Sequence, residues 1–156
     1  MNVGEAGRGW LEQAGDDLDT AKTLQDLHPF AACFHAQQAG EKAVKSIFGF
    51  FGLTIAHNTH FLDDLYKELE EIPTTHAILP PLDEVRGLDR LYIPTRYPDA
   101  WGGDRPSKHY TSKDAAEAIA QAEKLLAPAT KLLARLREDA SRARGCRRGG
   151  DGTGRT

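Results

Sequence analysis

Apolar residues recur every three or four positions along most of this chain, and no segment alternates apolar and polar residues over a useful length. The first stretch, for example, places Trp10, Ala14, Leu18, Ala21 and Leu24 on one face of a helix. Because alternation with period two is the pattern of half-buried strands, the sequence favours helices throughout. It predicts an all-α fold, an up-and-down bundle of about five helices.

Prolines and glycines set the limits of the middle segments. The second segment, residues 30–51, is the most apolar and is expected to run through the centre of the bundle, with Gly49 and Gly52 as its flexible end. The third segment follows residue 58 or 59, and the fourth begins at Pro80 and ends before Pro94.

The last helix is expected to begin at Thr111 or Ser112, where Asp114 can form a capping box with Thr111. It should be long and kinked at Pro128. The sequence becomes polar and glycine-rich beyond Arg137. We therefore predict a helical domain over residues 8–138 and a disordered basic tail over residues 139–156.

The charge of the chain is unevenly distributed. From residue 141 onward five arginines face one acidic residue, so this tail carries +4 and the remainder about −7, by difference from a net charge of −3. A basic tail adds weak, salt-sensitive attraction to phosphate, or it is simply a solubilising extension.

Cysteine content and hydropathy point to a cytoplasmic protein that does not enter a membrane. The two cysteines form no disulfide framework, which favours a reducing compartment. The first nine residues contain no apolar run typical of a secretory signal. The longest apolar stretch, residues 46–56, is far too short to span a bilayer.

An irregular segment rich in proline and glycine, residues 92–106, separates the fourth helix from the last. It carries two tyrosines, a tryptophan and two arginines. Long loops with large side chains are often functional. Tyr92, Tyr97 and Trp101 either stack on a nucleobase or anchor the loop to the bundle.

Three groups of residues resemble the HEPN family (higher eukaryotes and prokaryotes nucleotide-binding). Residues 10–18 resemble its first helix, and residues 34–45 contain a match to its Gln-Ala-x-Glu-Lys-x-x-Lys second helix. Residues 60–65 and 92–99 are similar to its third helix and the loop that follows. Together these elements extend over almost the whole helical domain.

The resemblance implies a helical homodimer that works with a separate small nucleotidyltransferase, often as the toxin-like component of a toxin–antitoxin pair. It also implies binding of nucleotide or RNA, without a cofactor. Many members are metal-independent RNases with an Arg-x4-6-His motif. In such a motif the imidazole transfers a proton and the guanidinium neutralises charge on the phosphate.

This chain does not match that motif, so whether it is an enzyme stays open. Positions 101 to 103, where a histidine paired with Arg96 should fall, hold Trp101, Gly102 and Gly103. Arg105 and His109 are separated by only three residues. The candidate catalytic pair is Arg96 with His109, provided that the two glycines fold His109 back beside Arg96.

The nucleotide- or RNA-binding candidates in this loop are Arg96, Tyr97, Arg105 and His109. Arg96 either binds phosphate or ties the loop to a helix end or an acidic side chain. Three hypotheses follow: a HEPN module that binds nucleotide or RNA with a nucleotidyltransferase partner, a metal-independent RNase with a non-standard Arg/His pair, and a non-catalytic scaffold dimer.

A polar stripe interrupts the apolar second helix. Gln37, Glu41 and Lys45 are spaced four residues apart and therefore share one face. They form either a dimer or partner interface, which we favour, or a solvated face with Glu41 and Lys45 paired. His57 and His60 lack a third ligand at a recognisable spacing, so we expect no metal site there.

Overall fold

In a computed structural model the described residues, 3–55, 59–72 and 78–148, are helical or irregular and contain no strand. Four α-helices are present among them: α1 (Val3–Leu24), α2 (Pro29–Phe50), α3 (Leu62–Glu70) and α4 (Ser112–Arg148). Short 3₁₀ helices occupy Leu82–Glu84, Arg86–Leu91, Pro98–Trp101 and Pro106–Lys108. The predicted all-α fold class is confirmed.

Helix α2 lies at the centre and packs against both α1 and α4. Alanines are frequent among the buried residues of α1 and α2, where Ala14, Ala21, Ala36 and Ala43 are fully buried. Small side chains let the two backbones approach closely. The packing is centred on α2, as its apolar composition predicts.

A pair of glycines brings α1 and α2 into direct backbone contact. A Cβ atom on Gly49 would lie 2.5 Å from the backbone nitrogen of Gly7 and 2.6 Å from its Cα. Gly49 lies in the last turn of α2, where the sequence placed the helix end, and it is also a contact point with α1. The helix ends at Phe50, and Gly52 follows with a φ of 67°.

Helix α3 takes its N-terminal cap from a distant residue. The carboxylate of Asp89 accepts hydrogen bonds from the backbone N–H groups of Leu62, at 2.7 Å, and Asp63, at 3.1 Å. Burial raises the pKa of this carboxyl group, and the two backbone hydrogen bonds partly offset that effect. The 3₁₀ segment that carries Asp89 is thereby attached to α3.

The fourth predicted helix forms as 3₁₀ turns over Leu82–Glu84 and Arg86–Leu91 rather than as an α-helix. Its apolar residues Val85 and Leu88 are fully buried, as the spacing predicts. The segment lies between Pro81 and Pro94 and contains a glycine, all of which disfavour a long α-helix.

Helix α4 begins with the predicted capping box. The backbone N–H of Thr111 donates to the Asp114 carboxylate at 2.8 Å, and the N–H of Asp114 donates to the Thr111 hydroxyl at 3.3 Å. The helix is long, as predicted, and continues through Pro128. The kink expected at that proline stays a prediction.

The end of α4 differs from the boundary predicted at residue 138. The helix continues to Arg148, and residues 137–147 are all exposed. Alanine and arginine favour helix, and Glu138 and Arg142 form an i,i+4 ion pair at 3.8 Å. The predicted disorder is therefore not found over residues 139–148, and residues 149–156 lie outside the described part. None of the described helices combines the length and the hydropathy that a membrane span requires.

Candidate functional site

Arg96 is fixed by the turn that carries it. Its backbone N–H donates to the carbonyl of Ile93 and its side-chain Nε donates to the carbonyl of Tyr92, both at 3.0 Å. The buried hydroxyl of Thr95 donates to the carbonyl of Leu91 at 2.6 Å. The terminal nitrogens of the Arg96 guanidinium form no hydrogen bond to the described residues, so they are available to a ligand.

Three aromatic rings surround the Arg96 guanidinium. Its central carbon lies 4.2 Å from the ring centre of Tyr92, 5.0 Å from that of Phe34 and 5.3 Å from that of Tyr97. These contacts hold the plane of the guanidinium without neutralising its charge. Of the two ties that the sequence suggested for Arg96, the one to a helix end is found, because Tyr92 is the C-terminal cap of the 3₁₀ helix Arg86–Leu91. Arg96 forms no ion pair with an acidic side chain among the described residues.

The Arg96 surface borders an open cavity of about 300 Å³ between the start of α2 and the 3₁₀ turn at Pro106–Lys108. Most of its wall is apolar, and its polar groups come from Thr95, Arg96 and Ser107. The remaining lining residues are Phe30, Ala31, Phe34 and Pro106. A partly exposed cation beside an apolar wall suits a ligand with a flat ring and an anionic group.

His109 lies in a separate cluster formed by the second half of the loop. Its ring stacks on Trp101, with centres 3.9 Å apart and planes 3° apart, and its Nε2 lies 3.4 Å from the Asp104 carboxylate. Trp101 donates its indole N–H to the carbonyl of Pro94 at 2.8 Å. A hydrogen bond from Lys108 is the main cause that lowers the pKa of Asp104, which is thus an anion beside His109.

The structure does not bring Arg96 and His109 together. No hydrogen bond or ring contact joins them in the described residues, and they line different cavities. Gly102 and Gly103, with φ values of 61° and 92°, do reverse the chain as the sequence suggested. The reversal directs His109 onto Trp101 instead of onto Arg96.

Tyr97 and Arg105 both lie at the surface, which is where a ligand would meet them. Tyr97 is 50% exposed and shares its ring face with Arg96. The side chain of Arg105 is exposed and makes no hydrogen bond or ion pair with the described residues. Of the predicted binding residues Arg96, Tyr97, Arg105 and His109, only Arg96 and Tyr97 are in contact with each other among the described residues.

The polar stripe of α2 is inside the subunit and not on its surface. Gln37, Glu41 and Lys45 are only 0%, 2% and 5% exposed. Lys45 Nζ donates to Glu41 at 2.7 Å, and Gln37 Nε2 donates to the backbone carbonyl of His60 at 3.0 Å. The predicted pairing of Glu41 with Lys45 is confirmed. The stripe is neither a partner interface nor a solvated face, because His60 covers Gln37 and Glu41 and the ring of Trp10 lies over Lys45.

His60 connects this buried stripe to Tyr92, the aromatic residue packed against Arg96. Its Nδ1 lies 3.1 Å from the Glu41 carboxylate, and its ring stacks on Tyr92 with centres 4.7 Å apart. No sequence pattern indicates that His60 bonds to Glu41 and stacks on Tyr92, because both partners are distant from it in the chain. Phe34 is likewise predicted only as part of the apolar face of α2. His57 lies outside the described residues.

These observations define the class of protein as an all-helical bundle with an aromatic-bound arginine in the loop before its last helix. The sequence profile of the HEPN domain matches residues 8–133. The chain therefore belongs to the HEPN domain family.

Two solved structures resemble this chain along most of its length. TT1696 from Thermus thermophilus is 38% identical, with a TM-score of 0.69. ST0689, an archaeal HEPN homologue, is 30% identical, with a TM-score of 0.62. Each alignment covers 81% of this chain and 97% of the other. No curated protein matches the sequence.

Proposed function

We propose that this HEPN-domain protein binds a nucleotide or RNA through Arg96. The proposal depends on the surroundings of the Arg96 guanidinium. Its Nε donates to the carbonyl of Tyr92, and three aromatic rings surround it. It has no anionic partner among the described residues. A pre-oriented guanidinium can donate two parallel hydrogen bonds to a phosphate. The phosphate of the ligand thus binds Arg96.

Tyr97 supplies the second contact. Its ring is half exposed beside the guanidinium, so a base attached to the bound phosphate can stack on it. The cavity of about 300 Å³ next to Arg96 offers an apolar wall for the sugar and base. Arg105 adds a positive charge further along the same loop.

We propose further that the chain is a homodimer and acts with a nucleotidyltransferase partner, as the toxin-like component of a toxin–antitoxin pair. The family relationship motivates this assembly. Phe61, Ile93 and Tyr97 also leave large apolar side chains partly exposed around the Arg96 turn, which suits a subunit contact. Light scattering and affinity purification after co-expression with a neighbouring nucleotidyltransferase test it, and a monomer that purifies alone contradicts it.

Substitution of Arg96 tests the ligand site. We expect Arg96→Gln to weaken binding of a short single-stranded RNA at least about tenfold, because a charged bidentate contact contributes more than about 1.4 kcal/mol. Arg96→Lys keeps the charge but loses the fork geometry, so its affinity should lie between those of the wild type and Arg96→Gln. Fluorescence anisotropy at fixed salt concentration measures these affinities.

Arg86→Gln is the matched control. Arg86 is a half-exposed arginine that pairs with Asp63 and Asp83 and does not line the Arg96 cavity. Equal weakening by Arg86→Gln and Arg96→Gln would show that binding reflects overall charge and would remove Arg96 from the site. Wild-type protein that binds no RNA or nucleotide at all favours the scaffold-dimer alternative.

A further inference from the structure

A continuous series of contacts runs from the buried polar stripe of α2 to the Arg96 guanidinium. The Glu41 carboxylate lies 3.1 Å from His60 Nδ1, and the His60 ring stacks on Tyr92 with planes 13° apart. Tyr92 contacts Arg96 through both its ring, 4.2 Å from Cζ, and its backbone carbonyl. These contacts join the interior of the bundle to the group proposed to bind phosphate.

His60 is held by α2 at both its ring and its backbone. Because a carboxylate can only accept, the contact with Glu41 places a proton on Nδ1 and restricts the orientation of the imidazole. The Gln37 amide donates to the backbone carbonyl of His60 at 3.0 Å, which holds the main chain at the same point. The His60 side chain is 39% exposed, so these bonds rather than complete burial determine its orientation.

The ring of Tyr92 depends on its neighbours for its position. The turn that carries Arg96 is closed by backbone bonds and by the Thr95 hydroxyl, none of which involves the Tyr92 ring. The Tyr92 hydroxyl forms no hydrogen bond with the described residues, so the ring is held by contacts with His60, Phe61 and Arg96. Of these three residues, His60 is the one that a side-chain hydrogen bond joins to α2.

Stability gives no reason for a carboxylate at position 41. Glu41 is 2% exposed and pairs with Lys45, which is 5% exposed. Because desolvation opposes the attraction within a buried ion pair, apolar side chains of similar size are often as stable or more so. An apolar residue at this position could not, however, accept the hydrogen bond from His60.

We propose that Glu41 and His60 are positioning residues for the Arg96 guanidinium. Glu41 fixes the imidazole, the imidazole holds the Tyr92 ring in place, and that ring sets the plane of the guanidinium that meets a phosphate. Binding groups must be held to within about 0.5 Å, and hydrogen bonds behind them supply that precision. The role in ligand binding rests on the proposed function, because it requires that Arg96 binds the ligand.

The ligand-free protein gives the first test. In the full chain labelled with ¹⁵N, relaxation of the Arg96 Nε–H signal, assigned by its loss in Arg96→Gln, reports the order of the guanidinium. We expect a rigid group in the wild type and an order parameter below about 0.6 in His60→Ala. His60→Phe keeps a ring that can stack on Tyr92, so its value should lie between the two.

RNA affinity gives the second test. We expect His60→Ala to weaken binding of the single-stranded RNA used for Arg96→Gln by about three- to tenfold, less than Arg96→Gln itself. His60→Phe should regain part of that loss. In the Arg96→Gln background His60→Ala should have no further effect, because the group that His60 positions is then absent.

Glu41 is tested in a variant that leaves no charge unpaired. The double variant Glu41→Leu with Lys45→Met removes both members of the buried pair. It should lower the order of the Arg96 Nε–H in the same direction as His60→Ala, because the imidazole has lost its acceptor. An order equal to that of the wild type overturns the part assigned to Glu41.

Gly49→Ala is the control that separates positioning from general stability. It is expected to destabilise the packing of α1 on α2. Position 49 lies about 22 Å further along α2 than Phe34, which contacts Arg96. Its RNA affinity and its Arg96 order should therefore equal those of the wild type. A thermal melt shows that each variant is folded at the temperature of measurement.

The outcomes separate this proposal from the proposed function. An Arg96 Nε–H as ordered in His60→Ala as in the wild type overturns the positioning role, whatever the RNA affinities are. A loss of affinity in His60→Ala that is the same with and without Arg96, or that Gly49→Ala reproduces, also overturns it. Unchanged RNA affinity in Arg96→Gln overturns the proposed function, while a lowered order in His60→Ala would still show that His60 positions Arg96.

Discussion

Glu41 is a carboxylate in a position where a helical bundle normally has an apolar side chain. It is nearly inaccessible to solvent and bonds to Lys45, His60 and Gln37 at 2.7, 3.1 and 3.3 Å. A buried ion pair contributes little net stability, because desolvation opposes the attraction of the charges. Removal of one member, however, leaves the other charged and unpaired inside the protein.

A comparison of single and double substitutions at this pair tests that reasoning. We expect Glu41→Leu alone to lower the free energy of unfolding by about 3–5 kcal/mol, because Lys45 is then buried without a counter-charge. The double variant Glu41→Leu with Lys45→Met should lose less than Glu41→Leu alone. Urea unfolding followed by circular dichroism measures both, and a double variant less stable than the single one would contradict the prediction.

The polar stripe of α2 also shows which properties of single residues the sequence can predict. Spacing by four correctly indicates that Gln37, Glu41 and Lys45 share a face, since this follows from helix geometry alone. It does not indicate what covers that face. The covering residue, His60, comes from a segment whose position depends on tertiary packing.

The same distinction applies to Arg96. Its place in an arginine- and aromatic-rich loop is visible in the sequence, and so is Tyr97 beside it. The contact with Phe34 is not visible, because it joins the loop to a helix far away in the chain. The unpaired side-chain oxygen of Gln121 left no sequence pattern at all, since the lack of a partner becomes apparent only once the surroundings are known.

The packing of α1 on α2 depends on backbone contact rather than on side-chain interlocking. At Gly49 the atoms that an added methyl group would meet belong to the backbone of α1 and cannot rotate away. An overpacked position of this kind destabilises by about 1–3 kcal/mol. The packing of α1 on α2 is therefore sensitive to the size of the side chain at position 49.

Two glycine-to-alanine substitutions make a matched test at this level. Gly49→Ala should lower the free energy of unfolding by about 1–3 kcal/mol. Gly15→Ala should raise it by about 0.5–1 kcal/mol, because Gly15 lies within α1 with nothing within 4 Å of its added Cβ and alanine favours helix. Thermal and urea unfolding measure both, and equal effects would show that the backbones of α1 and α2 are not in contact at Gly49.

The helices themselves were largely predictable, and the connecting segments were not. Apolar periodicity located α1, α2, α3 and α4, and the capping box placed the start of α4 at Thr111 or Ser112, of which the structure shows Ser112. The segment around Val85 carried the same periodicity but formed 3₁₀ turns, because i,i+3 spacing satisfies both helix types. The sequence placed the end of α2 correctly near Gly49 but gave no sign of its contact with Gly7, because a glycine near a helix end suggests a terminus as readily as a close contact.

Across the whole molecule, positive charge is concentrated on the far end of α4. This helix has 37 residues and a length of about 55 Å at 1.5 Å per residue, and residues 137–147 near its end are exposed to solvent. Within the helix, residues 139–148 carry four arginines and one aspartate on a chain whose net charge is −3. An exposed basic helix end of this kind attracts polyanions.

Truncation after residue 138 should affect RNA affinity but not the stability of the fold. Stability should change by less than about 1 kcal/mol, because residues 139–147 are exposed and outside the hydrophobic core. RNA affinity should fall at low salt, and the dependence of its logarithm on salt concentration should become less steep. An unchanged slope would mean that the arginines of this end do not contact phosphate.

The cap on α3 has a consequence for the order in which the chain acquires structure. A nine-residue helix is too short to persist alone in water, and this one depends on a carboxylate 26 residues further along the chain than Asp63. During synthesis the α1–α2 hairpin can therefore assemble early, whereas α3 must wait until Asp89 has emerged. The stacked pair of His60 and Tyr92 therefore forms late, after α1 and α2 have packed together.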